Sequence, residues 1–271
     1  MTTYTLDPPS PTDHHLGLSG AALRPTHATR LTAAHLKTVI KAGGMMCIHG
    51  GVGLGKTIAV NTNLYDLAAQ TTLRFEYPPG YPLNDFKADL AEALALPDDL
   101  QPGHRTTERL IRSSLAAQPR VILIDEAQGL TNHVLEYIRN LWADQSNHLA
   151  VVFVGGENCY RRIRSRAALA SRICLWQQYA PLRPDEIIDT MPGYHPVWAD
   201  VSPQDLLWAD DLACHGNFRS WATLTFHLQE AIDAPERKET GFSRKLARFV
   251  LADMDSADRS YEDRHDANGY M

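Results

Sequence analysis

Short apolar runs alternate with amphipathic stretches along the first two thirds of the chain. MMCIH (45–49), TTLRFEY (71–77), VILID (121–125), LAVVFVGG (149–156) and ICLWQQ (173–178) read as strands. VILID and LAVVFVGG carry no polar residue before their ends, as expected of strands buried on both faces. Between them the period changes to that of a helix. Ile58, Val60, Leu64 and Leu67 recur at near-helical spacing from Thr57 to Gln70, and Val134, Tyr137, Ile138 and Leu141 share one face of 131–145. FKADLAEALAL (86–96) and TTERLIRSSLAAQ (106–118) predict two more helices, the second with Thr106 or Thr107 as its cap, and another is expected near Thr32–Lys41. Strands alternating with helices predict an α/β fold with a parallel sheet flanked by helices.

After Pro181 the texture is helical only: PDEIIDTM, SPQDLLWADDLACH, the segment 218–232 and SRKLARFVLADM predict a small C-terminal helical lid over 181–252. Residues 1–28, with Pro8, Pro9, Pro11 and Pro25, read as a flexible arm, which leaves 29–180 as the α/β core. Residues 253–271 form an acidic tail expected to be disordered.

Composition narrows this picture little. A chain of 271 residues with 44% hydrophobic content suits one large domain or a domain with an appendage. The apolar runs fall well short of the roughly 20 residues of a membrane helix. The polar start MTTYTLDPPSPTDHH is no signal peptide, so a cytoplasmic protein with no membrane partner is expected. Cys47, Cys159, Cys174 and Cys214 form no C-x-x-C pair and read as reduced thiols, and the histidines lack the neighbours that would make a structural metal site. Charge matters more. Of the net −6, −4 lies between Asp253 and Met271, so the body is close to neutral and local patches outweigh the sum.

The densest chemical signal is CIHGGVGLGKT, 47–57. Gly50, Gly51, Val52, Gly53, Leu54, Gly55, Lys56 and Thr57 fit G-x-x-x-x-G-K-[ST] between a strand and a helix, the pattern of a loop that wraps a phosphate chain. Glycine is needed because backbone N–H groups must converge on phosphate oxygens where a Cβ would obstruct them. Lys56 would reach the β- and γ-phosphates as a point charge. Thr57 would ligate Mg2+, and the following helix would aim its positive end at the anion. ATP and Mg2+ are the expected cofactors.

VILIDEAQ supplies the second half of such a site. Asp125, at the carboxyl end of a buried strand, would hold the Mg2+ hydration shell, and Glu126 would orient and polarise the attacking water.

Taken together these motifs resemble the AAA+ ATPases. IDEAQGL and AVVFVGGEN, in that order, resemble within them the transposition regulators of the TnsC and MuB type, over roughly 29–232. The resemblance implies a polar sensor residue just after the VVFVG strand. Relatives place Asn directly after the first glycine, whereas this chain has Gly156, Glu157 and then Asn158; Asn158 is the candidate, with an ordinary loop polar residue the alternative. It also implies an arginine finger completing a neighbouring subunit's site, for which Ser171–Arg172 fits and Arg166 is the second candidate. HGNFRSW implies a further sensor, Arg219, reaching the γ-phosphate. A finger acts only in trans, so a homo-oligomer, ring or helical filament, is implied.

The function expected from this resemblance is ATP-dependent assembly on duplex DNA, without strong sequence preference, that regulates target selection and activation of a transposase. The alternatives are a replicative helicase loader or initiator, and a protein-directed switch without nucleic acid. Arg74, Tyr77, Tyr81 and Lys87 around the PPGYP loop, with Arg139, are the candidate DNA contacts.

Overall fold

The computed structural model describes residues 4, 6, 15–97, 99–234 and 241–254. They divide into two compact units: residues up to 9 with His27–Ala180, and residues 10–26 with the chain from Pro181 onward.

The first unit holds a five-stranded sheet: β1 (Met45–Gly50), β2 (Thr72–Glu76), β3 (Arg120–Asp125), β4 (Leu149–Gly155) and β5 (Ile173–Tyr179). The strands are all parallel, in the order β2-β3-β4-β1-β5. Unbroken apolar runs are explained by two cores, one on each face of the sheet. Met45 and Cys47, Ile122 and Ile124, and Val151 and Phe153 point into one of them. Their neighbours Met46 and Ile48, Val121 and Leu123, and Val152 and Val154 point into the other.

Helices cover both faces. α3 (Leu83–Ala93), α4 (Arg105–Ala117), α5 (Asn132–Trp142), α6 (Glu157–Arg164) and the single turn α7 (Ala167–Ala170) bury Phe86, Ile111, Ile138, Ile163 and Leu169 in the first core. α1 (His27–Ala42) and α2 (Lys56–Ala68) bury Leu36, Val39, Val60 and Leu64 in the second. A buried polar network ties α1 to the edge strand β5. Thr32 Oγ1 lies 2.5 Å from the Tyr179 hydroxyl and accepts from Gln177 Nε2 at 2.9 Å.

Two boundaries differ from the sequence pattern for local reasons. α1 starts at His27, earlier than its apolar spacing announces. α4 is capped by His104, whose Nδ1 accepts from Thr106 N–H; neither expected cap serves, since Thr106 is the second residue of the helix and Thr107 is buried, donating to the Gln101 carbonyl at 2.7 Å.

The expected flexible arm is corrected at the residues described. Tyr4 and Leu6 are buried in the first unit, and the Tyr4 carbonyl accepts the Arg74 N–H at 2.8 Å. Leu18 is buried in the second unit's core, and the Ala22 N–H donates to the Tyr194 carbonyl at 2.8 Å. Prolines made this stretch read as a linker, but burial of Tyr4, Leu6 and Leu18 offsets the entropy of ordering those residues.

The second unit is helical. α8 (Pro184–Tyr194), α9 (Pro203–Ala209), α10 (Phe218–Asp233) and α11 (244–254) surround Trp198, Trp221, Leu206 and Leu228. The expected long helix 202–215 is instead α9 followed by a π-helical turn, Asp210–Cys214. Asp210 makes that turn useful: its Oδ1 accepts from Gly216 N–H at 2.6 Å and from Trp221 Nε1 at 3.1 Å. The expected acidic tail lies, beyond residue 254, outside the described residues.

Candidate nucleotide-binding site

The loop between β1 and α2 needs its glycines for identifiable reasons. At Gly50 φ is +148°, and a Cβ there would lie 2.4 Å from the Tyr179 carbonyl oxygen, a contact with fixed backbone. Gly55, at φ +84°, is the N-cap of α2 and brings no side chain to its free N–H groups. The first turn of α2 contains no acid either, so the helix presents an open positive end.

Lys56 folds back over this loop, its Nζ donating to the carbonyls of Gly50 at 3.0 Å and Gly51 at 2.6 Å. Its charge also depresses the pKa of His49, after burial of that imidazole, the larger cause. Val52 is exposed at the loop tip and Leu54 is buried beneath it.

Asp125 ends β3 with only 5% of its surface exposed. Burial pushes its carboxyl pKa up. Hydrogen bonds from the Glu126 N–H, at 3.0 Å, and from the Thr57 side chain oppose that shift. Thr57 and Asp125, the two residues expected to hold Mg2+, thus lie near enough for the hydroxyl to favour the carboxylate, although they follow different strands of the sheet. Glu126 adopts the left-handed backbone conformation, φ 49° and ψ 40°. A non-glycine residue held there at a strand end is the kind of local strain found at functional sites.

Gln128 is the residue that the sequence pattern did not single out. Its amide nitrogen donates to the Glu126 carboxylate, and its Oε1 accepts from Gly156 N–H at 3.1 Å. Because β4 lies beside β3, the end of β4 and the acid after β3 share this one side chain. Gly155 leaves the space for it: a Cβ there would meet Gln128 Oε1 at 2.1 Å and Cys159 Cβ at 2.7 Å. A polar residue two positions past the acid is a faint sequence signal, since its reach depends on the turn Ala127–Gly129.

The candidate sensor Asn158 and its neighbour Glu157 lie differently with respect to the loop. Asn158 is exposed on the first turn of α6, whereas Glu157 Oε1 lies 3.9 Å from where a Cβ on Gly51 would stand. Consecutive helical residues point about 100° apart, so only one of the pair faces the loop. Arg172 stands before β5, its guanidinium donating to the Ala168 carbonyl and, at 3.4 Å, to Ser171 Oγ. Arg166 is the N-cap residue of α7. Arg219 is exposed in the first turn of α10, in the second unit, where Asn217 Oδ1 caps the helix by accepting from its N–H at 2.9 Å.

The candidate DNA contacts have intramolecular work. Tyr77 is buried, stacked on Tyr81 with ring centres 4.1 Å apart, and burial raises its pKa. Lys87 pairs with Glu108 at 2.6 Å and lies 4.7 Å from the centre of the Tyr137 ring. Tyr77 and Lys87 are thus corrected to structural residues, because the packing of α3 on β2 and α5 uses them. Tyr81 donates to Asp89 at 2.8 Å, and its pKa is pushed up to about 12, first by burial. Arg74 pairs with Glu76 at 3.0 Å and approaches Asp125 at 3.8 Å, and Arg139 pairs with Glu136 at 2.7 Å.

Residues 39–163 match the family model described as an AAA domain. The first unit has the AAA+ P-loop fold. Among solved structures, the chain is similar to Orc1 of Aeropyrum pernix in complex with DNA, with a TM-score of 0.61 and 15% identity over 86% of this chain and 66% of that one. It is similar to Drosophila ORC bound to DNA, with a TM-score of 0.63 and 15% identity over 94% and 70%. Against the Thermotoga maritima RuvB Holliday junction branch migration motor the TM-score is 0.56, at 14% identity over 83% and 67%. A curated relative, general secretion pathway protein A of Aeromonas hydrophila, is 32% identical over 165 residues, which is 57% of this chain. The chain spans 30% of that relative's length. No helix among the described residues is long and apolar enough to cross a membrane.

Proposed function

We propose that this protein is a Mg2+-dependent ATPase that oligomerises on duplex DNA and regulates target selection and activation of a transposase. The observation that carries the ATPase reading is the convergence of Thr57 and Asp125 beside the Lys56 loop. The residues fit a magnesium nucleotide: a loop whose Gly50 admits no Cβ, an uncapped helix end, and an ammonium laid on two backbone carbonyls of that loop.

Bound Mg2+-ATP would supply a cleavable phosphoanhydride and a counter-charge. The chain does the rest. Lys56 would exchange its two carbonyl contacts for phosphate oxygens, and Thr57 and Asp125 would hold the ion. Glu126 would orient water and accept its proton, with Gln128 fixing the carboxylate's position. Arg172, from a neighbouring subunit, would stabilise charge on the transferred group, which links hydrolysis to assembly.

The DNA and transposase parts of the proposal are supported by the order IDEAQGL then AVVFVGGEN, and by fold likeness to proteins whose structures were solved with DNA. Fluorescence anisotropy on unrelated duplexes, with ATP, ADP and no nucleotide, tests this. ATP-dependent binding with ATP-dependent growth in sedimentation is expected. Likeness to the secretion-pathway relative favours a second reading, a switch directed at a protein partner. Negligible DNA binding in every nucleotide state would move the assignment there.

A further inference from the structure

An open groove of about 470 Å3 runs along α4, on the first unit. Arg105, Arg109 and Arg112 line it, with Ser113 and Ser146. The arginines recur at i, i+4 and i+7, so they lie on one helical face and span about 10 Å along its axis. Acids are present, but their charges are matched. Glu108 is paired with Lys87 at 2.6 Å and accepts from the Tyr137 hydroxyl at 3.0 Å. Asp144 is held by Arg112 at 2.9 Å and by both the N–H and the hydroxyl of Ser146. Arg105 and Arg109 are exposed and, among the described residues, have no ion-pair or hydrogen-bond partner. The groove therefore offers two uncommitted guanidiniums and a third that a stronger anion could share.

We infer that this groove is the surface through which the protein holds the phosphate backbone of duplex DNA, an inference that rests on the DNA-binding reading proposed above. Three cations along about 10 Å lie within the axial rise of about three successive steps of one strand at about 3.4 Å each, and guanidinium forks bind phosphate oxygens bidentately. The lining contains no aromatic ring, so it offers no platform for stacking unpaired bases. It is shallow and open along the helix, which suits a rod laid across it better than a small anion enclosed within it. It also replaces Tyr77 and Lys87, whose side chains the fold consumes.

The test is duplex binding by the full chain as a function of salt, with Arg105→Ala/Arg109→Ala compared with Lys37→Ala/Lys41→Ala. The lysines are exposed, share the i, i+4 spacing and remove equal charge from a different helix, α1. The arginine pair should lower the slope of log affinity against log salt by about 2, and weaken binding on the order of tenfold or more at 0.1 M salt. The lysine pair should leave the slope unchanged, and Arg105→Lys/Arg109→Lys should restore most of the loss. Basal ATPase without DNA should be equal in all four proteins, which excludes misfolding. Equal losses in the alanine pairs, or no loss in the arginine pair while wild type binds, overturn the groove and leave the DNA reading standing. Tighter binding of single strand than duplex through the same arginines overturns the choice of ligand. A wild type that binds no duplex in any nucleotide state overturns both proposals together.

Discussion

Gly156 donates its backbone N–H to Gln128 Oε1 at 3.1 Å, while the nitrogen of the same amide donates to Glu126. One side chain thus fixes the proposed base relative to the end of β4. Gln128→Ala should lower kcat about tenfold, equivalent to about 1.4 kcal/mol of barrier, and leave the KM for ATP unchanged. Steady-state kinetics check it; an unchanged kcat would reduce Gln128 to a turn residue.

The roles of Lys56 and Glu126 separate in binding and turnover. Lys56→Ala should abolish tight ATP binding, since it removes the ammonium that the Gly50 and Gly51 carbonyls hold over the loop. Glu126→Gln should bind ATP normally and hydrolyse it about 10²- to 10⁴-fold more slowly. Calorimetry and a phosphate-release assay read the two effects. If both variants match wild type, the site assignment fails.

Asp125 makes a signed prediction about pH. Burial holds its pKa above the ordinary carboxylate value, so between the two values the unfolded chain binds fewer protons than the fold, and stability falls as pH rises. Above the raised value the cost is fully present, and below the ordinary value it is absent. Asp125→Asn should therefore raise the melting temperature of the nucleotide-free protein at neutral pH, with the gain vanishing in acid. The same variant should lose stabilisation by Mg2+-ATP. Thermal melts across pH, with and without ligand, measure both.

Arg172 is the proposed finger, and complementation tests it. Mixing Arg172→Ala with Lys56→Ala should recover activity, because some boundaries in a mixed assembly keep an intact pocket and an intact arginine. No ratio exceeding the summed separate activities would move the assignment to Arg166. Arg219→Ala, tested alone, should lower kcat, the outcome expected of the γ-phosphate sensor that the resemblance implies.

Gly155→Ala probes the packing that positions Gln128. Its Cβ would meet Gln128 Oε1 at 2.1 Å and Cys159 Cβ at 2.7 Å, so overpacking should cost about 1–3 kcal/mol in denaturant melts. A Gly155→Ala protein of wild-type stability and turnover would mean the Gln128 bridge is dispensable.

Local chemistry made the two ends of the site legible in the sequence. The glycines, Lys56 and Thr57 are demanded by a loop whose backbone must do the binding, and a strand with two buried faces must be apolar until the residue where it emerges, Asp125. The same logic gave the alternating strands and helices, because short unbroken apolar runs and a period of 3.6 are written directly in residue order. It also went wrong in identifiable places. Prolines before residue 28 suggested a free arm, yet Tyr4, Leu6 and Leu18 are buried. Tyr77 and Lys87 looked like surface residues beside a loop until α3 and α5 were packed against them.

What residue order determined by itself was which backbone segments are strands, helices and phosphate-type loops, since each depends on neighbours within a few positions. Tertiary structure alone decided which of them meet. The order β2-β3-β4-β1-β5 sets β4 between the strands carrying Gly50 and Asp125, and so brings Gly156 to Gln128 and Glu126. Packing likewise decided that Glu108 turns to Lys87 and leaves Arg105 and Arg109, beside it on α4, without an ion-pair partner among the described residues. The physical reason is that side-chain pairing across a sheet or between helices depends on register and crossing geometry, which long-range burial fixes and no local pattern encodes.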